Sequence, residues 1–334
     1  MSEEPADPVE AADPEETAEF VETAEPLEAA EPSEIADFAG HRCGVVAIAG
    51  RPNVGKSTLL NKMLGAKIAI VTPKPQTTRD RILGILTRPE AQFLFQDTPG
   101  IHQPPKPLNR RMMAEADAAL ADADVVLVIT DASKAAYCLK EDGLVLERVR
   151  AAGKPTVLAI NKIDLLDKPA LLPLMLAYGS AGFNTIVPIS AVTGDGLEEM
   201  IAEVIKHLPE GPSLYPEDEL SDRSLRFLAT EIVREKLTLN TRKEIPYSTA
   251  VTIDTFTEPE LPLAVLIEMT IHVERSSQKA IVIGKGGSML KRIGTEARID
   301  LENLMERKVM LKLFVRVDEE WASSDAALRR LLDE

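Results

Sequence analysis

Gly50-Arg51-Pro52-Asn53-Val54-Gly55-Lys56-Ser57 is the stretch on which the fold turns, and it satisfies G-x-x-x-x-G-K-[ST] in full. Just before it, Val45-Val46-Ala47-Ile48-Ala49 is an apolar, largely β-branched run of the kind a buried strand uses. Just after it, Thr58-Leu59-Leu60-Asn61-Lys62-Met63-Leu64 has helical spacing, and Gly65 is a helix stop. Strand, glycine loop and helix in that order cradle phosphates, because backbone N–H groups turn inward and the helix N-terminus adds a favourable dipole. Lys56 is placed to reach the terminal phosphates of a nucleoside triphosphate, and the Ser57 hydroxyl to ligate Mg²⁺. Gly50 through Ser57, with Thr58 behind them, are the expected phosphate-binding residues.

Outward from the loop, strands are expected at Arg81–Thr87, Gln92–Gln96, Val125–Thr130, Thr156–Ile160 and Thr185–Ile189. Helical patterns separate most of them, notably Asp142–Ala152 and Leu197–Leu208. This alternation predicts an α/β P-loop domain with a mostly parallel sheet. A short link joins Arg81–Thr87 to Gln92–Gln96, so that pair is expected to be an antiparallel hairpin at one edge.

The ends of these strands carry the remaining chemistry. Asn161-Lys162-Ile163-Asp164 follows Thr156–Ile160. A carboxylate at Asp164 can accept from both the ring N–H and the exocyclic amine of guanine, a donor pair that adenine lacks. Ser190-Ala191, at the end of the next strand, is placed to support the base through backbone N–H groups. Asp97-Thr98-Pro99-Gly100 closes Gln92–Gln96. Asp97 is expected to hold Mg²⁺ through water, and the Gly100 N–H to meet the γ-phosphate. Gln76-Thr77-Thr78-Arg79 supplies a threonine for the metal, with Thr78 favoured and Thr77 its neighbour. The expected metal set is therefore Ser57, Thr78 and Asp97, with Lys56, Thr78 and Gly100 acting at the reacting phosphates. Ile101 follows Gly100 and cannot orient a water, so hydrolysis without a partner should be slow.

Near residue 209 the rhythm breaks. Leu208-Pro209-Glu210-Gly211-Pro212-Ser213-Leu214-Tyr215-Pro216 is linker chemistry. After it the order becomes helix (Ser224–Lys236), strand (Ser248–Phe256), strand (Leu263–Val273), two helices (Ser277–Ile283 and Ser288–Gly294), strand (Val309–Val317) and a terminal helix. Met269 and Leu263–Ile267 read as sheet core, and Trp321 as an anchor for the last helix. Gly284-Lys285-Gly286-Gly287 lies between the paired helices and fits the GXXG loop of KH modules, which clamps single-stranded nucleotides. Residues 271–316 hold ten Lys or Arg against five acids. Lys279, Lys285, Lys291 and Arg292 cluster around the loop as a phosphate-binding face requires. The expected division is a tail over 1–40, a GTPase domain over 41–208, a linker over 209–220 and a smaller α+β KH-type domain over 221–334.

The net charge of −16 belongs to the tail. Residues 1–40 hold fourteen acids and no Lys or Arg, so the other 294 residues have 40 acids against 38 bases. The tail's composition predicts disorder, and the near-neutral body excludes nothing about an RNA partner. The longest apolar runs, such as Val125–Ile129, fall far short of the ~18 residues a membrane helix needs. No basic and apolar leader opens the chain, and two cysteines, Cys43 and Cys138, make no disulfide framework, so a cytoplasmic location is expected. His41, His102, His207 and His272 are scattered without metal-ligand spacing.

Taken together, Gly50–Ser57, Lys74–Asp80, Asp97–Gly100, Asn161–Asp164 and Ser190-Ala191 resemble the Era-type branch of GTPases. Glu244–Ser248, Val273–Lys279 and Ile281–Leu290 resemble the RNA-binding half of the same family, and the likeness spans residues 42–320. The acidic tail has no counterpart in that pattern. The resemblance implies a GTP-hydrolysing switch that binds small-subunit ribosomal RNA near its 3′ end and assists assembly of the small ribosomal subunit. It also implies a potassium ion held with the help of Asn53, a monomer, and peripheral attachment to the inner face of the cell membrane. A GTP-gated RNA scaffold with negligible turnover is the competing reading. A tRNA-modification or membrane-transport GTPase of the same branch would not need the module after residue 216.

Overall fold

A computed structural model describes residues 40–74, 78, 81–101, 107–134, 138–242, 244–319 and 321. The acidic tail, Gln76, Thr77, Arg79 and the expected terminal helix lie outside them. Along the chain run β1 (Arg42–Ala49), α1 (Lys56–Leu64), β2 (Ile82–Arg88), β3 (Ala91–Asp97), α2 (Pro107–Asp122), β4 (Val125–Asp131), α3 (Cys138–Glu141) and α4 (Gly143–Ala152). There follow β5 (Thr156–Asn161), α5 (Lys168–Ser180), β6 (Ile186–Pro188) and α6 (Leu197–Ile205). These strands form one sheet in the order β2-β3-β1-β4-β5-β6, parallel throughout except for the antiparallel edge pair β2–β3.

Alternation along β1 divides the core. Val46 and Ile48 face Leu59, Leu60 and Leu64 of α1, while Ala47 and Ala49 face Ala116 and Leu120 of α2. Both faces are covered, which is why β4 reads as an unbroken apolar run. Helix α5 carries little helical periodicity in sequence, so no pattern singles it out.

The second half contains α7 (Leu225–Asn240), β7 (Thr249–Thr257), β8 (Val265–Val273), α8 (Ser276–Ile283), α9 (Ser288–Met305) and β9 (Val309–Val317). Its sheet order is β7-β8-β9, with β7–β8 antiparallel and β8–β9 parallel. Val265, Ile267 and Met269 are core residues here, but Leu263 lies before the strand and is exposed. Helix α9 does not stop at Gly294 as its glycine suggests. Ile293, Ala297 and Leu301 are buried at i, i+4 and i+8, and that burial outweighs the ~1 kcal/mol cost of an internal glycine. Trp321 is buried, and its Nε1 donates to the Ser248 carbonyl at 3.2 Å.

The proline-rich stretch does not hang free. Buried Gln92 accepts from the Leu214 and Tyr215 N–H groups at 2.7 and 3.0 Å and donates to the Tyr215 carbonyl at 2.8 Å. Ile85 N–H, on the outer side of β2, donates to Leu220 O at 2.9 Å. An amide buried at Gln92 needs partners, and the linker backbone supplies them.

Candidate functional site

The phosphate loop joins β1 to α1 and lines an open pocket of about 370 Å³ with Pro52, Asn53, Gly55, Lys56, Ser57 and Thr58. Ile70 to Pro73, Thr78, Gly100 and Lys162 complete the wall. Lys56 is buried, and its Nζ donates to the loop carbonyls of Gly50 at 3.3 Å and Arg51 at 3.1 Å. Burial pushes its ammonium down to about 8, against the opposing pull of Asp97.

Beside it, three side chains from separate segments converge. Ser57 Oγ donates to Asp97 Oδ2 at 2.6 Å, Thr78 Oγ1 donates to the same oxygen at 3.3 Å, and the two hydroxyls stand 3.1 Å apart. Asp97 is fully buried at the end of β3, and its Oδ1 has no hydrogen-bond partner among the described residues. Burial raises the Asp97 carboxyl despite Lys56 and the two hydroxyls. Both shifts run toward neutrality, as in a site whose compensating charges, a divalent cation and a phosphate chain, would come with a ligand. Two hydroxyls around a buried carboxylate with a spare oxygen fit Mg²⁺, a hard cation that takes oxygen ligands.

Gly100 has no room for a side chain, since a Cβ there would stand 2.7 Å from Pro52 N. That close approach lets the segment after β3 lie on the phosphate loop, where Ile101 N–H donates to Gly50 O at 3.1 Å. Thr98 Oγ1 is turned inward to Ile48 O at 2.8 Å, and Ile101 is buried in the core, so neither side chain faces the pocket. Pro99 is buried with them.

The residues expected to meet the base sit at the ends of β5 and β6. Asn161 spans three loops, donating through Nδ2 to Val54 O at 2.8 Å and accepting the Ala191 N–H at 2.9 Å. Lys162 follows at φ 68° and donates to Asn53 O at 2.9 Å. Asp164 is exposed and accepts from the buried Ser190 hydroxyl at 2.6 Å, while Ile163 is half-buried between them. Ser190 thus orients the carboxylate with its side chain, where the sequence points only to its backbone. Two expected residues sit differently from the rest. The Val54 side chain is buried in the core, and the Arg51 guanidinium turns to Glu141 and Asp142. Asp142 is buried and also accepts from Thr130 Oγ1 at 2.6 Å and Tyr178 Oη at 2.5 Å. That network braces the phosphate loop from behind, and no sequence motif marks it.

In the second half, Gly284–Gly287 turns between α8 and α9, with positive φ at Gly284, Gly286 and Gly287. Space around Gly286 and Gly287 is open: a Cβ at either position would meet nothing within 4 Å. Gly287 opens a groove of about 410 Å³ whose other walls are Leu290, Lys291, Gly294, Thr295 and Arg298 of α9 and Leu311 and Leu313 of β9. Lys285 and Lys291 are exposed beside it, and Lys279 is half-buried. Arg292 is exposed on the same helix but pairs with Glu296 at 2.9 Å. The groove floor escapes the motif-based reading; Gly294 and Arg298, one and two turns beyond Lys291, are its available signal.

The two sites are physically joined. Lys67 pairs with Glu235 of α7 at 2.7 Å and with Asp300 of α9 at 2.8 Å. Val71 N–H donates to Glu235 Oε2 at 3.3 Å, and the Lys74 ammonium caps the Thr238 and Thr241 carbonyls at the end of α7. The pocket wall at Ile70–Pro73 therefore hangs on the second half.

Residues 45–162 match the family of 50S ribosome-binding GTPases, and residues 244–322 match the KH domain family. GTPase Era of Syntrophus aciditrophicus is 50% identical over 289 residues, which cover 86% of this chain and 94% of that protein. GTPase Era of Geobacter metallireducens is 48% identical over 291 residues, covering 87% and 97%. Among solved structures, Era in complex with MgGDPNP and nucleotides 1506–1542 of 16S ribosomal RNA aligns with TM-score 0.84 at 41% identity, covering 87% of this chain and 99% of that one. A variant of Aquifex aeolicus Era bound to GDP·AlF4⁻ aligns with TM-score 0.83 at 41% identity over the same shares. A P-loop domain followed by a KH domain, matched in both sequence and structure across nearly the whole of these relatives, places the chain in the GTPase Era family.

Proposed function

We propose that this chain is a GTP-hydrolysing switch that binds single-stranded ribosomal RNA near the 3′ end of the small-subunit RNA and assists assembly of that subunit. The observation that carries it is the convergence of Ser57, Thr78 and buried Asp97, with its spare Oδ1, beside Lys56. In this reading Ser57, Thr78 and Asp97 hold Mg²⁺ on the triphosphate, Asp97 through water. The ion supplies charge neutralisation at the phosphate oxygens when bound. Lys56 leaves the Gly50 and Arg51 carbonyls for the phosphates, and the Gly100 N–H meets the γ-phosphate. Asn161 and Ser190 hold the base loop so that Asp164 can take the guanine donor pair. Lys279, Lys285, Lys291 and Arg292 draw the RNA backbone to the Gly284–Gly287 turn, and bases occupy the groove beyond Gly287.

Buried Ile101 supports a slow intrinsic rate, because no side chain at that position reaches a water. Asn53 is proposed to help hold potassium as a compensating charge. Its Nδ2 already donates to Pro73 O at 3.1 Å, so the amide oxygen is the atom left to face a cation. Phosphate release from GTP and ATP, with and without a 3′-end fragment of small-subunit RNA, tests the reading. GTP-selective release raised by the RNA is the expected outcome; equal use of ATP, or indifference to RNA, would remove it. Turnover should also be faster in K⁺ than in Na⁺ at equal ionic strength, and Asn53→Ala should erase that difference.

A further inference from the structure

We infer that Asp131, at the end of β4, is a positioning residue for guanine-nucleotide binding that acts by holding the Lys162 side chain against the pocket. The inference rests on the reading of the pocket given under Proposed function. The β4–β5 register sets Asp131 opposite Asn161, so that Lys162, one residue on, lies beside its carboxylate. Asp131 Oδ2 accepts from Lys162 Nζ at 2.6 Å, and Oδ1 accepts from Ser133 N–H at 2.9 Å and Ser133 Oγ at 2.6 Å. The carboxylate is nearly buried and fixed at both oxygens. With its second bond to Asn53 O, the Lys162 ammonium is pinned at two points, and its aliphatic stem lies along the pocket wall.

A lysine stem carries considerable rotamer freedom, which a ligand packing on it must otherwise remove on binding. Asp131 removes that freedom beforehand, so its contribution is preorganisation. Asp131 holds the lysine by its ammonium, and no hydrogen bond or ion pair among those of the described residues joins its carboxylate to Lys56, Ser57, Thr78 or Asp97. The effect should therefore be equal on GDP and GTP, and should appear in affinity rather than in the chemical step.

A double-mutant cycle in the full chain tests this: Asp131→Ala, Lys162→Met and the double variant, with Asp131→Asn as the conservative replacement. Titration with fluorescent GDP and GTP should show Asp131→Ala weakening both by the same factor, about tenfold for a lost charged hydrogen bond. KM for GTP should rise by that factor while kcat moves less than about twofold. Asp131→Asn should recover most of the affinity, since its amide oxygen still accepts from Nζ. In the Lys162→Met background, removing Asp131 should cost nothing further. Unchanged GDP affinity in Asp131→Ala, an equal loss in both backgrounds, or an asparagine no better than alanine would each overturn the inference. If Asp131→Ala loses its cooperative unfolding transition, Ser133→Ala decides: about two- to threefold weaker GDP affinity supports the role, on the order expected for one loosened hydrogen bond, and no change refutes it. Asp164→Asn, titrated alongside, tests the guanine reading itself, because its base preference is independent of whether Asp131 and Lys162 are coupled.

Discussion

Asp97 shows how a side chain that is costly for the fold can be the one on which a proposed metal site is built. A buried carboxylate with an unpartnered oxygen carries a desolvation cost of about 1–3 kcal/mol or more, and the surrounding residues offset only part of it. Asp164 is the opposite case: exposed, oriented by Ser190, and ready to offer its acceptors to a ligand. Asp164→Asn is expected to shift preference from GTP toward xanthosine triphosphate, because an amide donates where the carboxylate accepted. Nucleotide competition reads this directly, with a selectivity change of at least about a hundredfold for a site built around that hydrogen-bond pattern. Asp131 adds a pH signature. Burial alone would raise its carboxyl, but the hydrogen bonds from Lys162 and Ser133 outweigh burial and hold it below the ordinary value of 3.8. A depressed carboxylate contributes stability that is complete above its unfolded value and is lost as pH falls through its folded one. The stability gap between wild type and Asp131→Asn should therefore be constant near neutrality and shrink only below about pH 4, as followed by urea unfolding across an acid series.

Among the elements, α7 connects most of the molecule. Leu228 reaches the core beneath the large sheet, while Ala229, Ile232, Val233 and Leu237 belong to the core of the small one. Its buried Glu235 accepts from Lys67, Lys236 and the Val71 N–H. Glu235→Leu would leave the Val71 N–H without its acceptor and Lys67 and Lys236 with Asp300 alone, so it should cost about 2–3 kcal/mol in denaturant unfolding. Because Val71 lines the nucleotide pocket, the same variant should also loosen that wall and raise KM for GTP. Unchanged stability would mean that solvent replaces the buried partners.

At the scale of the whole molecule, the phosphate-loop pocket and the groove beyond Gly287 are separate and are joined through the segment from Lys67 to Lys74, α7 and α9. Gly286→Asp and Gly287→Asp should each weaken single-stranded RNA binding more than about tenfold, by placing an anion where phosphate approaches. Aspartate tolerates positive φ better than most residues, and both sites have open space around them, so the fold should survive. GTP affinity of the free protein should be unaffected, since neither glycine touches the pocket. Filter binding of a 3′-end RNA fragment, beside GDP titration of the same preparations, separates the two effects.

The phosphate loop, the Asn161–Asp164 corner, the convergence of Ser57, Thr78 and Asp97 and the GXXG turn are legible in the sequence because each depends on local backbone geometry and residue type at fixed spacing. The antiparallel edge strand is legible for the same reason, since a short link permits only a hairpin. Other features have no local signal. Gly294 looks like a helix end, and only burial of Ile293, Ala297 and Leu301 against the small sheet carries α9 through it. Arg51 sits inside the loop motif, yet Asp142, some ninety residues on, takes its guanidinium. Asp131 and Lys162, Gln92 and Tyr215, and Glu235 and Val71 are pairs that meet only when distant strands and helices come together. Side chains so far apart along the chain have no shared periodicity to read, so their pairing is decided by tertiary packing and by the need of buried polar groups for partners.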